Sequence, residues 1–384
     1  MKFRFKREDK PFYIALAIAG LCIILVLGYV IAMTAVYSAG HSIRDDRTAD
    51  INVMITRPEN WKKIETGKIS LTPEDFAMID GSTATIPITA ELARQFCDAS
   101  DENIWEYVDH NTTHNAYKNL IFTYGNSDHI EYDVSGDGSV HRYYDSSGYN
   151  SFFREKHLLF VTEPSADELE SAKKEGVSFE ITPVALDGFV FITHKDNPVD
   201  SLTVEQVQQI YSGRIKNWKE VGGNDSKIIP YQRAWNSGSQ TAMKQLVMKD
   251  IPLMDPSEGY SKEVGLMGEL IERVAEYENR ESSLGYTYYY YINNLYRSDD
   301  IKVLNINGVS PDNENLISGA YPFSTAYYMV MAEGAAGSQT AKMHGLQDYL
   351  FTDKMRELRD YLLTDEGQEI IKMAGYCPVG NMGE

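Results

Sequence analysis

At 384 residues, with 43% hydrophobic and 24% charged side chains, the chain is long enough for two lobes and too apolar to be a disordered segment. Its formal net charge of −20 repels nucleic-acid phosphates, and no basic stripe offsets it, so a nucleic-acid partner is excluded. The three cysteines form no C-x-x-C and share no ligand spacing with histidine, which argues against a zinc site and leaves no metal or cofactor implied.

The charge is segregated. Residues 1–10 (MKFRFKREDK) carry net +3, leaving −23 on the remainder. From Phe12 to Met33 no residue is charged, and as a helix this run spans roughly 33 Å at ~1.5 Å per residue, against a bilayer core of about 30 Å. The basic tip stays cytoplasmic, so the pattern predicts a single-pass segment in the cell membrane with the C-terminal body on the extracytoplasmic side. The run exceeds an ordinary signal-peptide apolar region. Tyr37 spoils the cleanest cleavage site, and Leu21 before Cys22 does not fit a lipoprotein signal, so an uncleaved anchor is favoured over residues 1–37.

Residues 38–68 are polar and aperiodic and read as a stalk. Thereafter helical and strand patterns alternate, as in an α/β protein. Residues 88–97 form an amphipathic helix, and Leu158–Val161 and Phe189–Thr193 are buried strands. Residues 203–212 are a second helix whose apolar stripe is core. A tyrosine-rich strand is predicted at 284–292, another at 326–332, and a long closing helix at about 345–373. Residues 123–157, dense in Gly, Ser, Asp and Tyr, read as a surface insertion. Pairing of Cys97 with Cys377 stays open, with two unpaired thiols the plainer reading.

Two stretches share a chemistry. Asp80-Gly81-Ser82-Thr83-Ala84-Thr85 and Asn236-Ser237-Gly238-Ser239-Gln240-Thr241 each place glycine and small hydroxyl residues directly before a helix. The free N–H groups and positive dipole end of a helix N-terminus make such a loop an anion site, and Ser82, Thr83, Ser237 and Ser239 add donors without bulk. Either loop alone reads equally well as a helix cap. Arg233, four residues before Ser237, adds a permanently charged planar donor pair.

The run from Asp187 to Met248 (DGFVFITHKDNPVDSLTVEQVQQIYSGRIKNWKEVGGNDSKIIPYQRAWNSGSQTAM and on) resembles the phosphate-binding receptors of ABC transporters, the PstS-like substrate-binding proteins. The early IDGSTATIP and late GQEIIKMAGYCPVG resemble the ends of that family, so the likeness covers roughly residues 78–384. It implies a two-lobed α/β fold of the type II periplasmic-binding-protein kind: lobe I from 69–194 plus 293–384, and lobe II from 195–292. It also implies a monomer holding phosphate or a similar oxyanion between the lobes and delivering it to a membrane permease. Carried over, Ser82, Thr83 and Ala84 bind from one lobe and Arg233, Ser237, Gly238 and Ser239 from the other, while Thr113, or equally Thr112, supplies a further hydroxyl. Where the family often has a Gly-Ala-Ser-Asp segment, this chain has Phe160-Val161-Thr162-Glu163-Pro164-Ser165. Glu163 fits the proton-accepting role there, since a carboxylate accepts from a protonated oxyanion and repels a fully ionised one; an exposed surface glutamate is the alternative.

Other signals fall short. DVSGDG at 133–138 echoes a calcium loop, but Ser135 and Tyr144 break the ligand pattern. Ser171–Lys174 fits S-x-x-K inside a charged helix face. No activated nucleophile is visible, so an enzyme such as a phosphatase ranks below a binding protein. A membrane-anchored sensor or adhesin using the same fold is the alternative to transport.

Overall fold

The computed structural model describes residues 57, 60–67, 69–125, 130–134, 140–144, 155–256, 261–265, 267–333 and 346–379, all within one compact unit, Met54–Glu384. The apolar run Phe12–Met33 lies outside the described residues. Among them, no helix is long and apolar enough to cross a membrane.

Four strands build the first lobe's sheet: β1 (Ile79–Gly81), β2 (Leu158–Val161), the N-terminal part of β3 (Phe179–His194) and β4 (Ser324–Ala332). They run in the order β1-β2-β4-β3, with β1 parallel to β2 and β4 antiparallel to both neighbours. Cys377–Pro378 adds a short strand on β3. Helices α1 (Ile86–Cys97), α2 (Thr113–Tyr124) and α3 (Ala166–Lys174) pack around it. Tyr117, Leu120 and Ile121 of α2 meet Leu159 and Val161 of β2, Ala172 of α3 and Val330 of β4 in one core. The apolar i, i+3, i+4 spacing of α2 dictates that face.

The 16-residue strand β3 joins the lobes. It pairs with β4 as far as Gly188↔Ser324 and from Phe189↔Tyr288 onward with β5 (Ser283–Tyr288), changing partner between two adjacent residues. Pro183 has no N–H to give a ladder, and it sits where the β3–β4 register shifts, at Tyr327/Tyr328. Beyond β5 lie β6 (Ile229–Arg233) and β7 (Lys262–Val264), both parallel continuations. Helix α4 (Val204–Tyr211) carries a Thr203/Gln206 capping box. Helix α5 (Gly238–Ala242) follows β6 and continues through a π turn, Met243–Met248.

Several boundaries differ from those expected. Ile301–Val303 pairs with Ile192–His194, and Asn305–Ile306 with Ser201–Leu202, through hydrogen bonds that local pattern does not reveal. The tyrosine-rich strand stops at Tyr288; Tyr291–Leu295 is a π-helical turn. The closing helix is two helices, Leu346–Leu362 and Asp365–Met373, the second capped by Thr364, whose hydroxyl accepts from Gly367 N. Residues 61–64 do not form a free stalk. Trp61 Nε1 donates to Glu91 at 2.8 Å, Ile64 N donates to Gln95 Oε1 at 2.8 Å, and Gln95 Nε2 returns a bond to Lys62 O at 2.9 Å. The expected insertion closes earlier than 157, because Lys156 and His157 are buried and Lys156 Nζ donates to Ala77 O, Ile79 O and Asp109. Within it, Ile130–Val134 and Val140–Tyr144 pair as a hairpin, while residues 135–139 of the calcium-like stretch lie outside the described residues. Cys97 and Cys377 are free thiols.

Candidate functional site

The site begins at the carboxyl ends of β1 and β2, where open α/β sheets leave a crevice. Asp80 is fully buried and accepts four hydrogen bonds: from Gly81 N (2.7 Å) and Asn111 N (2.9 Å) on one oxygen, and from Asn111 Nδ2 (2.9 Å) and Asn119 Nδ2 (2.8 Å) on the other. This carboxylate ties the 80–82 turn to the start of α2. Ser82 N and the Thr85 hydroxyl both donate to Phe160 O, at 2.9 and 2.6 Å. Ser82 Oγ lies 3.3 Å from Thr85 Oγ1, and Tyr376 donates its hydroxyl to Ala84 O. Thr83 is half-buried beside them, opening the 3-10 turn that leads into α1. His110 is packed over the turn, with Nδ1 3.0 Å from Ser82 O, and burial lowers its pKa.

Thr112 and Thr113 separate cleanly. Thr112 is the N-cap of α2 and accepts from Asn115 N, whereas Thr113 is buried at the first helical position. Opposite stands Gly238, the first residue of α5. A β-carbon placed on Gly238 would fall 2.5 Å from Thr162 Oγ1 and 2.8 Å from Thr113 Oγ1. The two lobes therefore meet backbone to side chain at this point, with two helix N-termini converging on it.

The polar atoms here are under-satisfied. Among the described residues, Ser239 Oγ and Asn236 Oδ1 are buried without a hydrogen bond, and Thr162 Oγ1 is buried with no well-formed one, the Tyr288 hydroxyl being its neighbour. Buried hydroxyls rarely remain so, because desolvation without a partner costs about 1–3 kcal/mol. Ser237 Oγ accepts from Gln240 N at 3.2 Å as the N-cap of α5, which leaves its own proton available. The first-turn N–H groups of Gly238 and Ser239 have no acceptor within the helix. Across the cleft, Gln245 Nε2 donates to Pro164 O (3.1 Å) and Trp235 Nε1 to Asp167 (3.0 Å), with Lys244 Nζ 3.3 Å from the Trp235 ring centre.

Arg233 is buried, and its guanidinium donates through Nε to Val264 O (3.2 Å) and through Nη2 to Gly265 O (2.9 Å). Its backbone N–H donates to the Tyr286 hydroxyl at 2.9 Å. A cavity of about 180 Å³ opens between the lobes, lined by Thr162, Glu163, Gly238, Gln245, Thr325 and Tyr328 among others. Of the residues expected from sequence, Glu163 and Gly238 line it and Thr113 touches Gly238. Ser82, Thr83, Ala84, Arg233, Ser237 and Ser239 are not on its wall. Glu163 is exposed and accepts from the Tyr328 hydroxyl at 3.0 Å; burial, then this carboxylate, raise the Tyr328 pKa, so the phenol stays a donor.

The sequence singles out Glu163 and not its neighbour Thr162, and it places Tyr288, which donates to Gly238 O at 3.2 Å, only in a tyrosine-rich strand. One signal pointed to Thr162: it follows a predicted strand directly, at the end where such sheets bind ligands. Among the described residues, neither Ser237 nor Ser239 hydrogen-bonds a histidine, lysine or carboxylate, and no cluster of three or more His, Cys, Asp or Glu residues is arranged to hold a metal ion.

Residues 156–363 match the PBP superfamily domain. Among curated proteins, the chain is 28% identical over 202 residues to the phosphate-binding protein PstS of Borreliella burgdorferi, covering 51% of this chain and 66% of that one. It is 26% identical over 213 residues to the phosphate-binding protein PstS of Bacillus subtilis, covering 55% and 62% respectively. The chain thus spans just under two thirds of these relatives. A Clostridium perfringens crystal structure described as a phosphate ABC transporter substrate-binding protein with bound phosphate superposes with a TM-score of 0.51 at 23% identity, over 78% of this chain and 98% of that one.

Proposed function

Because the chain belongs to the PBP superfamily, we propose that it captures a small oxyanion, inorganic phosphate first among them, in the cleft where α2 and α5 converge. The observation that carries this reading is the approach of Gly238 to Thr113 and Thr162, with buried Thr162 Oγ1 and Ser239 Oγ left without a well-formed hydrogen bond. An oxyanion bound there accepts from those hydroxyls, from Ser237 and from the first-turn N–H groups of α5, whose dipole favours negative charge. Binding offsets the cost of the orphaned groups only when the lobes meet, so ligand shifts the population toward the closed arrangement. The printed names of the relatives, which are phosphate-binding proteins, support phosphate as the ligand.

Arg233 acts through its buried charge and through the Val264 and Gly265 backbone it holds. Glu163 favours ligands that bring a hydrogen-bond donor. The role is binding and delivery to an ABC permease, with no chemical step. The uncharged run Phe12–Met33 anchors the chain in the cell membrane, with the acidic body on the extracytoplasmic side.

Calorimetric titration of the full chain in detergent with phosphate and sulfate tests the reading. Phosphate binding is expected; sulfate binding without phosphate binding removes the phosphate assignment, and no binding of either removes the anion site.

A further inference from the structure

The interlobe cavity holds far more than a single water, and its wall carries a negative charge that a fully ionised oxyanion does not offset. About 180 Å³ is open there, against the ~10–15 Å³ that admits a single water. Among the described lining residues the one charged side chain is Glu163. Its carboxylate takes a single hydrogen bond, from Tyr328, and among the described residues no lysine, arginine or histidine forms an ion pair with it. Arg233, the nearest candidate in sequence, is turned to the carbonyls of Val264 and Gly265. On the same wall Thr162 is 5% exposed, and among the described residues its hydroxyl makes no well-formed hydrogen bond, with the Tyr288 hydroxyl beside it. One end of the cavity therefore offers neutral donors to an anion, and the adjacent residue offers an uncompensated carboxylate.

We propose that the cleft takes a zwitterionic phosphoryl compound, a short phosphomonoester or phosphonate ending in a primary ammonium. Its phosphoryl oxygens lie on the Thr162–Gly238 side and its ammonium lies on Glu163. The inference rests on the oxyanion reading above and sharpens its substrate class. Thr162 and Glu163 are consecutive and both line the one cavity, so a short linker suffices to connect the two ends. Gln245, Thr241 and Thr325 give the linker polar neighbours, beside Ala242 and Leu246. Monohydrogen phosphate offers Glu163 one O–H but leaves the like charges uncompensated, whereas the ammonium neutralises the carboxylate.

The test is calorimetry on the full chain near neutral pH with inorganic phosphate, methyl phosphate and 2-aminoethyl phosphate. The aminoethyl ester is expected to bind about tenfold more tightly than methyl phosphate or better, a difference of about 1.4 kcal/mol. In Glu163→Gln that ratio is expected to fall to within about threefold. The ratio is the readout, so a general change in affinity does not mimic the effect. Equal binding of the two esters by the wild-type chain overturns the proposal, as does a ratio that survives in Glu163→Gln. Phosphate binding without discrimination between the esters removes this inference alone; no binding of any of the three removes the anion reading with it.

Discussion

Gly238 and Thr162 belong to opposite lobes, yet a single added β-carbon on the glycine would lie 2.5 Å from the threonine hydroxyl. Closure in this protein is therefore limited by one missing methyl group.

Gly238→Ala separates closure from folding. The left-handed backbone that requires glycine is not used at this position, and alanine in a helix is favoured over glycine by roughly 0.5–1 kcal/mol. The variant is expected to melt at or slightly above the wild-type temperature while phosphate affinity falls about tenfold or more. Wild-type affinity in calorimetry would show that the lobes need not approach so closely.

Thr162→Val should move stability and affinity in opposite directions. An isosteric methyl replaces a buried hydroxyl that makes no well-formed hydrogen bond, so the ligand-free protein gains about 1 kcal/mol in denaturant unfolding. The ligand loses a donor, and affinity drops by roughly five- to tenfold. Thr162→Ser, which keeps the hydroxyl, is expected to restore most of the binding.

Arg233→Ala is expected to cost roughly 2–3 kcal/mol of stability, because it abandons the carbonyls of Val264 and Gly265 in a buried place. Urea denaturation reads this directly. It also removes a buried positive charge four residues before Ser237, so phosphate affinity is expected to fall about tenfold; unchanged affinity would leave Arg233 a purely structural residue.

Asp187 makes stability depend on pH. It is buried where β3 changes partners and accepts from Gly188 N (2.7 Å) and Tyr290 N (3.0 Å), with the Tyr327 hydroxyl beside it. Burial raises its pKa to about 7, against 3.8 for the free group. The folded state thus holds a proton that the unfolded state has released, and the contribution is full below about pH 4 and lost as pH rises through about 7. His157 has the opposite sign: burial lowers its pKa to about 4, so its effect favours the fold as pH rises from about 4 to the 6.5 of a free imidazole. Asp187→Asn removes only the first effect. The stability difference, variant minus wild type, should therefore grow between about pH 4 and 7 and level off above; a flat difference would mean that Asp187 ionises normally.

The local devices were legible where a residue's role is set by its neighbours in sequence. The cap at Thr203, the strand at Leu158–Val161 and the hydroxyl-rich start of α5 all follow from spacing and short-range hydrogen bonding. The pairing of 301–306 with 192–202 and the docking of Trp61 on Glu91 were not legible, since both join segments far apart in the chain. The same division runs through the site. The motif Asn236–Thr241 announced an anion loop, but its facing partner at Gly238 is Thr113 with Thr162, and the 80–85 loop contributes through Asp80, which anchors the start of α2.

Sequence by itself determined the α/β class, the superfamily resemblance and one helix N-terminus suited to an anion, because periodicity, capping and glycine placement are local properties of the chain. Tertiary structure alone decided that Thr162 and not Arg233 lines the cavity, and that Glu163 stands there without a cation. Which side chains lose water together, and which are left without partners, is settled only when distant strands β2 and β6 bring their ends to a common cleft.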